Sequence, residues 1–128
     1  VFHLVLLMEV IEHTVHGDLL LAEVARVLCP TGRLILTTPN YPAKRLYDWL
    51  AYLRGARRSP ADDPTHVSPY SARRIRRLCL EHFRSVESHV SRLAGEGRWP
   101  VLAHLRSLPM AADLLGHKVA IICEQPRQ

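Results

Sequence analysis

The stretch Val1-Phe2-His3-Leu4-Val5-Leu6-Leu7-Met8, followed at once by Glu9-Val10-Ile11-Glu12-His13, decides how this chain is read. A nearly unbroken apolar run with no alternation is the pattern of a strand covered on both faces, as in a parallel sheet. Two carboxylates and an imidazole follow directly, and in open α/β sheets ligands bind outside the carboxyl ends of the strands. Fold signal and site chemistry therefore lie side by side. A doubly covered strand needs neighbours, and none precede Val1, so these residues are expected to be the C-terminal part of a longer domain.

Outward from this stretch the rhythm changes. Gly17 and Asp18 open a periodic run in which Leu20, Val24, Val27 and Leu28 recur at helical spacing, and Pro30-Thr31-Gly32 stops it. Arg33 to Thr38, ended by Pro39-Asn40, reads as a second buried strand. Strand, helix and strand in some forty residues make a βαβ unit with a parallel pair and a right-handed crossover. Tyr41 to Leu53 breaks that rhythm as a helix whose face carries Leu46, Trp49, Leu50 and Leu53, within a helical insertion at about 41–67. Gly55 to Val67 is the best loop candidate, and Ser68-Pro69 reads as an N-cap with proline at the first helical position. The next helix runs to about His82. Val86, Ser88 and Val90 alternate with polar residues as in a strand open on one face, Trp99 to Leu115 is helical in character, and Lys118 to Cys123 is a last apolar strand.

Composition bounds the classes. With 128 residues and 48% hydrophobic content, one core is expected and two domains are not. The apolar opening is far shorter than the roughly 18 to 20 residues of a membrane span and lacks a cationic leader, so a cytoplasmic protein is expected. Cys29, Cys79 and Cys123 are widely spaced with no C-x-x-C, which points to buried thiols rather than a disulfide framework or zinc ribbon. A net charge of +5 raises nucleic acid or anionic membrane as partners. Against nucleic acid, Arg73, Arg74, Arg76 and Arg77 lie opposite a stripe of Ile75, Leu78, Cys79 and His82, the pattern of a solvated helix face.

The series Phe2, Val5, Glu9-Val10-Ile11-Glu12-His13, Leu21 to Leu28, Pro30-Thr31-Gly32, Leu34 to Thr38 and Pro39-Asn40 resembles the second half of a class I S-adenosylmethionine-dependent methyltransferase. The likeness is strongest over residues 2–40 and continues through His66, Ser68-Pro69, the Arg-rich helix and Gly116-His117-Lys118. It implies an α/β Rossmann-like three-layer α/β/α sandwich. The chain would supply the fourth to seventh strands of a seven-stranded, mostly parallel sheet with an antiparallel last strand. A preceding half would hold the Gly-rich turn that cradles the cofactor. The chain departs from the family at His3, where Asp is usual, and at Thr31, where Gly is usual in a turn that favours positive φ.

By this resemblance Met8 and Glu9 line the pocket of S-adenosylmethionine. Methyl transfer from a sulfonium is an in-line displacement, so the protein mainly aligns nucleophile and methyl. A hydroxyl acceptor also benefits from a base, and the imidazole of His13 is suited to it. Glu9, Glu12 and His13 are spaced so that one helical turn would set all three on one side, where they could hold Mg²⁺ or Mn²⁺. The segment is similar to ubiquinone-pathway O-methyltransferases and small-RNA 3′-terminal 2′-O-methyltransferases, which use such a cluster for metal. His66 would be the counterpart of a further histidine in the RNA enzymes. The expected function is methyl transfer to an oxygen of a small-molecule acceptor, with the Leu46-Trp49-Leu50-Leu53 face as a lid. The alternatives are a metal-assisted RNA 2′-O-methyltransferase-like enzyme, a non-catalytic remnant or basic interaction module, and, for the helix near Trp49, contact with anionic lipid.

Overall fold

The computed structural model describes residues 1–41, 43–55, 64–93, 113 and 116–127. Strand β1 (Phe2–Met8) leads through a 3₁₀ turn at Ile11–His13 into helix α1 (Gly17–Val27), then β2 (Leu28–Pro39), α2 (Ala43–Leu53), α3 (Ala72–His82), β3 (Phe83–Leu93) and β4 (Gly116–Pro126). The helical reading of Trp99 to Leu115 falls on residues outside the described set, Asp113 excepted.

The expected βαβ unit is present, for β1 and β2 pair in parallel across α1. The four strands lie in the order β1-β2-β4-β3, and β4 runs antiparallel to both its neighbours. The carboxyl ends of β1 and β2 and the start of β4 therefore meet at one edge of the sheet. Strand β2 begins earlier than expected, at Leu28. Its register with β1 jumps from Phe2↔Leu28 to Leu4↔Arg33, so Pro30-Thr31-Gly32 is a bulge within the strand. Gly32 is needed there for close approach. A Cβ at this position would lie 2.9 Å from the Cys29 carbonyl oxygen and 3.1 Å from that of Phe2. Thr31 is not among the residues with positive φ, so the departure from glycine at that position costs no backbone strain.

One face of the sheet carries the core. Leu34 and Leu36 of β2, Val119, Ile121 and Cys123 of β4, Leu21, Val24 and Ala25 of α1, and Ile75 and Cys79 of α3 form one buried cluster, with Val5 and Leu7 of β1 packed against it. Burying each large aliphatic side chain is worth about 1.5–3 kcal/mol, which is ample to fix α1 and α3 on this face. The other face is different. Leu4, Leu6 and Met8 are 51%, 56% and 55% exposed, so among the described residues the first strand is covered on one face only. The apolar run is continuous because its outward residues are apolar too, and among the described residues α1 and α3 cover only the Val5 and Leu7 side. Helices α1 and α3 therefore form one layer against one face of the sheet.

The Arg-rich helix behaves as expected, with Ile75 and Cys79 buried and Arg73, Arg74, Arg76 and Arg77 exposed. Its start does not. Ser71, not Ser68, caps α3, accepting from the Arg74 amide at 3.2 Å. Ser68 is engaged elsewhere, with its hydroxyl donating to the Thr14 carbonyl at 2.6 Å and its amide to the Glu12 carbonyl at 2.9 Å. All three cysteines are free and buried. Among the described residues no helix is long and apolar enough to cross a membrane.

Candidate active site

The carboxyl end of β1 is shaped by one backbone event. Glu9 adopts a left-handed conformation with φ of 55°, while its amide continues the ladder to the Thr37 carbonyl at 3.0 Å. Such a conformation is uncommon for a residue with a Cβ and is found where surrounding contacts over-determine it. It turns the chain out of the strand and into the 3₁₀ turn. The Glu9 carboxylate then reaches across the sheet edge to Lys118 of β4, Oε2 to Nζ at 3.3 Å, and its Oε1 is buried with no hydrogen-bond partner. Met8 precedes it at the exposed end of β1, with Thr37 Oγ1 donating to its sulfur at 3.8 Å.

Glu12 and His13 go to another group. The Glu12 side chain is fully buried, its Oε2 accepts from the Thr38 hydroxyl at 3.1 Å, and its Oε1 has no partner. The Nδ1 of the exposed His13 donates to the Thr65 carbonyl at 3.0 Å. A carbonyl can only accept, so the neutral ring carries its proton on Nδ1 and leaves Nε2 with a free lone pair. His66 meets His13 edge to face at 4.6 Å between ring centroids, and its Nδ1 lies 2.6 Å from the Tyr41 hydroxyl. One ligand atom each from Glu12, His13 and His66 falls within 4.8 Å of the others. His66 thus joins the cluster as expected. Glu9 does not, because its left-handed backbone and Lys118 carry its carboxylate away.

A buried carboxylate with one neutral partner is unfavourable unless a cation or further donors complete it. Glu12 is in that position, whereas Glu9 is paired with Lys118 and leaves only its Oε1 buried and unpartnered; both lie just past β1. The residues that hold this arrangement were not singled out from sequence. Asn40, 1% exposed, donates through Nδ2 to the carbonyls of Asp113 at 2.7 Å and Gly116 at 2.8 Å, and accepts at Oδ1 from the Ala72 amide at 2.9 Å. It ties the end of β2 to the starts of α3 and β4. Its position after Thr-Pro was the only available signal. The roles of Thr38, Tyr41 and Lys118 were not legible, since they depend on partners 26, 25 and 109 residues away.

Helix α2 stands beside this edge. Ala43 is buried, the Lys44 amide donates to the Asn40 carbonyl, and the Tyr47 ring lies 6.0 Å from that of His117. Leu46, Trp49 and Leu53 are 48%, 54% and 60% exposed, so this face is not packed on the core. An open cleft of about 650 Å³, lined by Arg33, Arg84 and Glu124 among others, lies at the opposite end of the sheet from the carboxylates and histidines.

No family model and no curated protein matches the chain. Solved structures do. An S-adenosylmethionine-dependent methyltransferase of Archaeoglobus fulgidus superposes with a TM-score of 0.61 at 17% identity, covering 98% of this chain and 59% of that one. A putative methyltransferase of Bacillus halodurans superposes with a TM-score of 0.55 at 15% identity, covering 98% of this chain and 65% of that one. The chain therefore spans less than two thirds of the length of these structures, and what it shares with them is the fold.

Proposed function

We propose that this chain forms the acceptor-side part of an S-adenosylmethionine-dependent methyltransferase domain, and that the domain transfers a methyl group to an oxygen of a small molecule. The observation that carries this reading is the superposition of 98% of the chain on a methyltransferase of known cofactor. In this reading β1, β2, β3 and β4 are the fourth, fifth, sixth and seventh strands of a seven-stranded sheet, and α2 lies in an insertion at about 41–67. The exposed Leu4-Leu6-Met8 face of β1 is where a third layer would pack.

The residues fit the cofactor. Glu9 Oε1, buried and without a partner, is an acceptor awaiting a donor at the carboxyl edge of the sheet, with Met8 forming the apolar surface beside it. When bound, the cofactor supplies an electrophilic methyl group. His13 Nε2, left free by the Thr65 carbonyl on the other ring nitrogen, takes the proton of the acceptor hydroxyl as its oxygen forms the new bond. Titration of the chain with S-adenosylmethionine by NMR is expected to shift the Met8 and Glu9 amides, with weak millimolar affinity because one wall alone binds. Shifts confined to the Arg33 and Glu124 end, or none, would overturn the assignment. In a longer protein that shows transfer, His13→Ala should lower kcat by roughly 10²- to 10⁴-fold.

A second reading rests on Glu12 Oε1. A buried orphan carboxylate oxygen, His13 Nε2 and a His66 ring oriented by Tyr41 make a donor set of one carboxylate and two imidazoles with their outer partners in place. Mn²⁺ or Mg²⁺ suits it, and such an ion would activate the acceptor oxygen. Mn²⁺ titration by electron paramagnetic resonance checks this apart from activity. One bound ion, lost in both Glu12→Gln and His66→Ala, is expected; binding that survives both variants sinks the site.

A further inference from the structure

Helix α2 presents a stripe that the methyl-transfer reading leaves unused. Leu46, Trp49 and Leu53 follow one another at helical spacing, and Tyr52 at 51% exposure extends the surface they form. Single exposed apolar residues are ordinary. Four large ones on eleven residues, held out while Ala43 and Tyr47 anchor the helix to the sheet edge, make a built surface. The charge along this stretch of sequence is one-sided. Between Ala43 and Arg58 the sequence holds Lys44, Arg45, Arg54, Arg57 and Arg58 against the single carboxylate of Asp48, which is already paired with Lys44.

We propose that α2 is an interfacial helix that docks this protein on an anionic lipid bilayer. A short amphipathic helix with Leu and Trp on one side and Lys and Arg around it lies in the headgroup plane, with its apolar side in the acyl boundary. Trp49 and Tyr52 suit that depth, being apolar rings with a polar edge. The occupant follows from charge and apolarity together. A second copy seated on the stripe in a two-fold contact would set the cations against their own counterparts. A nucleic acid would satisfy the cations and stack on Trp49, but would leave Leu46 and Leu53 in water. Only a surface both anionic and apolar meets every residue of the patch.

The test uses the whole chain with Trp99→Phe, so that Trp49 is the sole tryptophan. Phosphatidylcholine vesicles containing phosphatidylserine should blue-shift its emission and carry the protein down on sedimentation, and both effects should fall steeply with salt. Pure phosphatidylcholine should bind far less. Arg54→Gln should weaken binding about fivefold, the share of one cation near an anionic surface. Leu46→Ser with Leu53→Ser should abolish binding at an unchanged melting curve. If that double variant fails to fold, quenching of Trp49 by brominated acyl chains in the parent decides the matter. No shift on anionic vesicles, a shift that depends on protein concentration without vesicles, or binding to RNA with none to vesicles would each overturn the proposal.

Discussion

Asn40 shows how much one buried amide can hold. It joins three elements through its side chain, and its backbone adds an amide bond to the His117 carbonyl and a carbonyl bond from the Lys44 amide. Asn40→Ala would strand the Ala72 amide and the Gly116 carbonyl away from water, at about 1–3 kcal/mol for each group left unsatisfied. The expected loss is roughly 2–4 kcal/mol, read by urea unfolding, and a loss below 1 kcal/mol would show that water replaces the amide. Cys123 makes a different residue-scale statement. The Cys79 thiol beside it, and then burial, push its thiol well above the ordinary range. A folded-state value raised in this way favours the protonated fold, so the contribution is complete below the unfolded thiol's value of about 8.5 and declines as pH rises past it. Stability should therefore fall in mild alkali, and Cys123→Ala should flatten that slope. Labelling of Cys123 by iodoacetamide in the native state at the rate of a free thiol would contradict the burial argument.

Among the elements, β1 carries the sharpest consequence. It is an edge strand of the sheet, and its Leu4, Leu6 and Met8 face is open. An apolar edge with an apolar face pairs with other chains. The 128-residue chain is expected to self-associate at micromolar concentration in sedimentation velocity, and Leu6→Lys to shift it toward monomer. A wild-type chain that stays monomeric throughout would show that this surface is protected. Helix α3 illustrates how an element finds its end. Two candidate caps, Ser68 and Ser71, lie three residues apart, and both have the right side chain. Ser68 is withdrawn by its bonds to Thr14 and Glu12, so the first helical turn waits for Ser71. Ser71→Ala should cost about 1 kcal/mol, whereas Ser68→Ala keeps its amide bond to Glu12 and should lose only the hydroxyl bond to the Thr14 carbonyl.

For the molecule as a whole, stability is expected to be uneven. Strands β2 and β4 are central and bury Leu34, Leu36, Val119 and Ile121 completely, while α2 touches the body along one side and exposes the other. Native-state hydrogen exchange should find the β2 and β4 amides opening only with global unfolding and those of α2 much earlier. Equal protection in both would mean that α2 belongs to the core. The same division separates what could be read along the chain from what could not. The alternation of Val86, Ser88 and Val90, the stripe of Ile75 and Cys79, and the run from Leu34 to Thr38 encode burial through local periodicity, so strands, helices and the βαβ unit were legible, as was the placing of carboxylates and His13 at a strand's carboxyl end. Periodicity does not say whether Leu4 and Leu6 face a partner layer. That depends on where helices pack, and α1 and α3 both pack on the Val5 and Leu7 side. Nor does spacing separate Glu9 from Glu12. The first is drawn to Lys118 and the second to Thr38, His13 and His66, through contacts that join residues far apart in the chain. The sequence by itself determined the elements and the end of the sheet at which chemistry gathers, because those follow from hydrophobic period and strand order. Only the tertiary structure decided which carboxylate meets which histidine, because that rests on a left-handed turn at Glu9 and on partners brought together by folding.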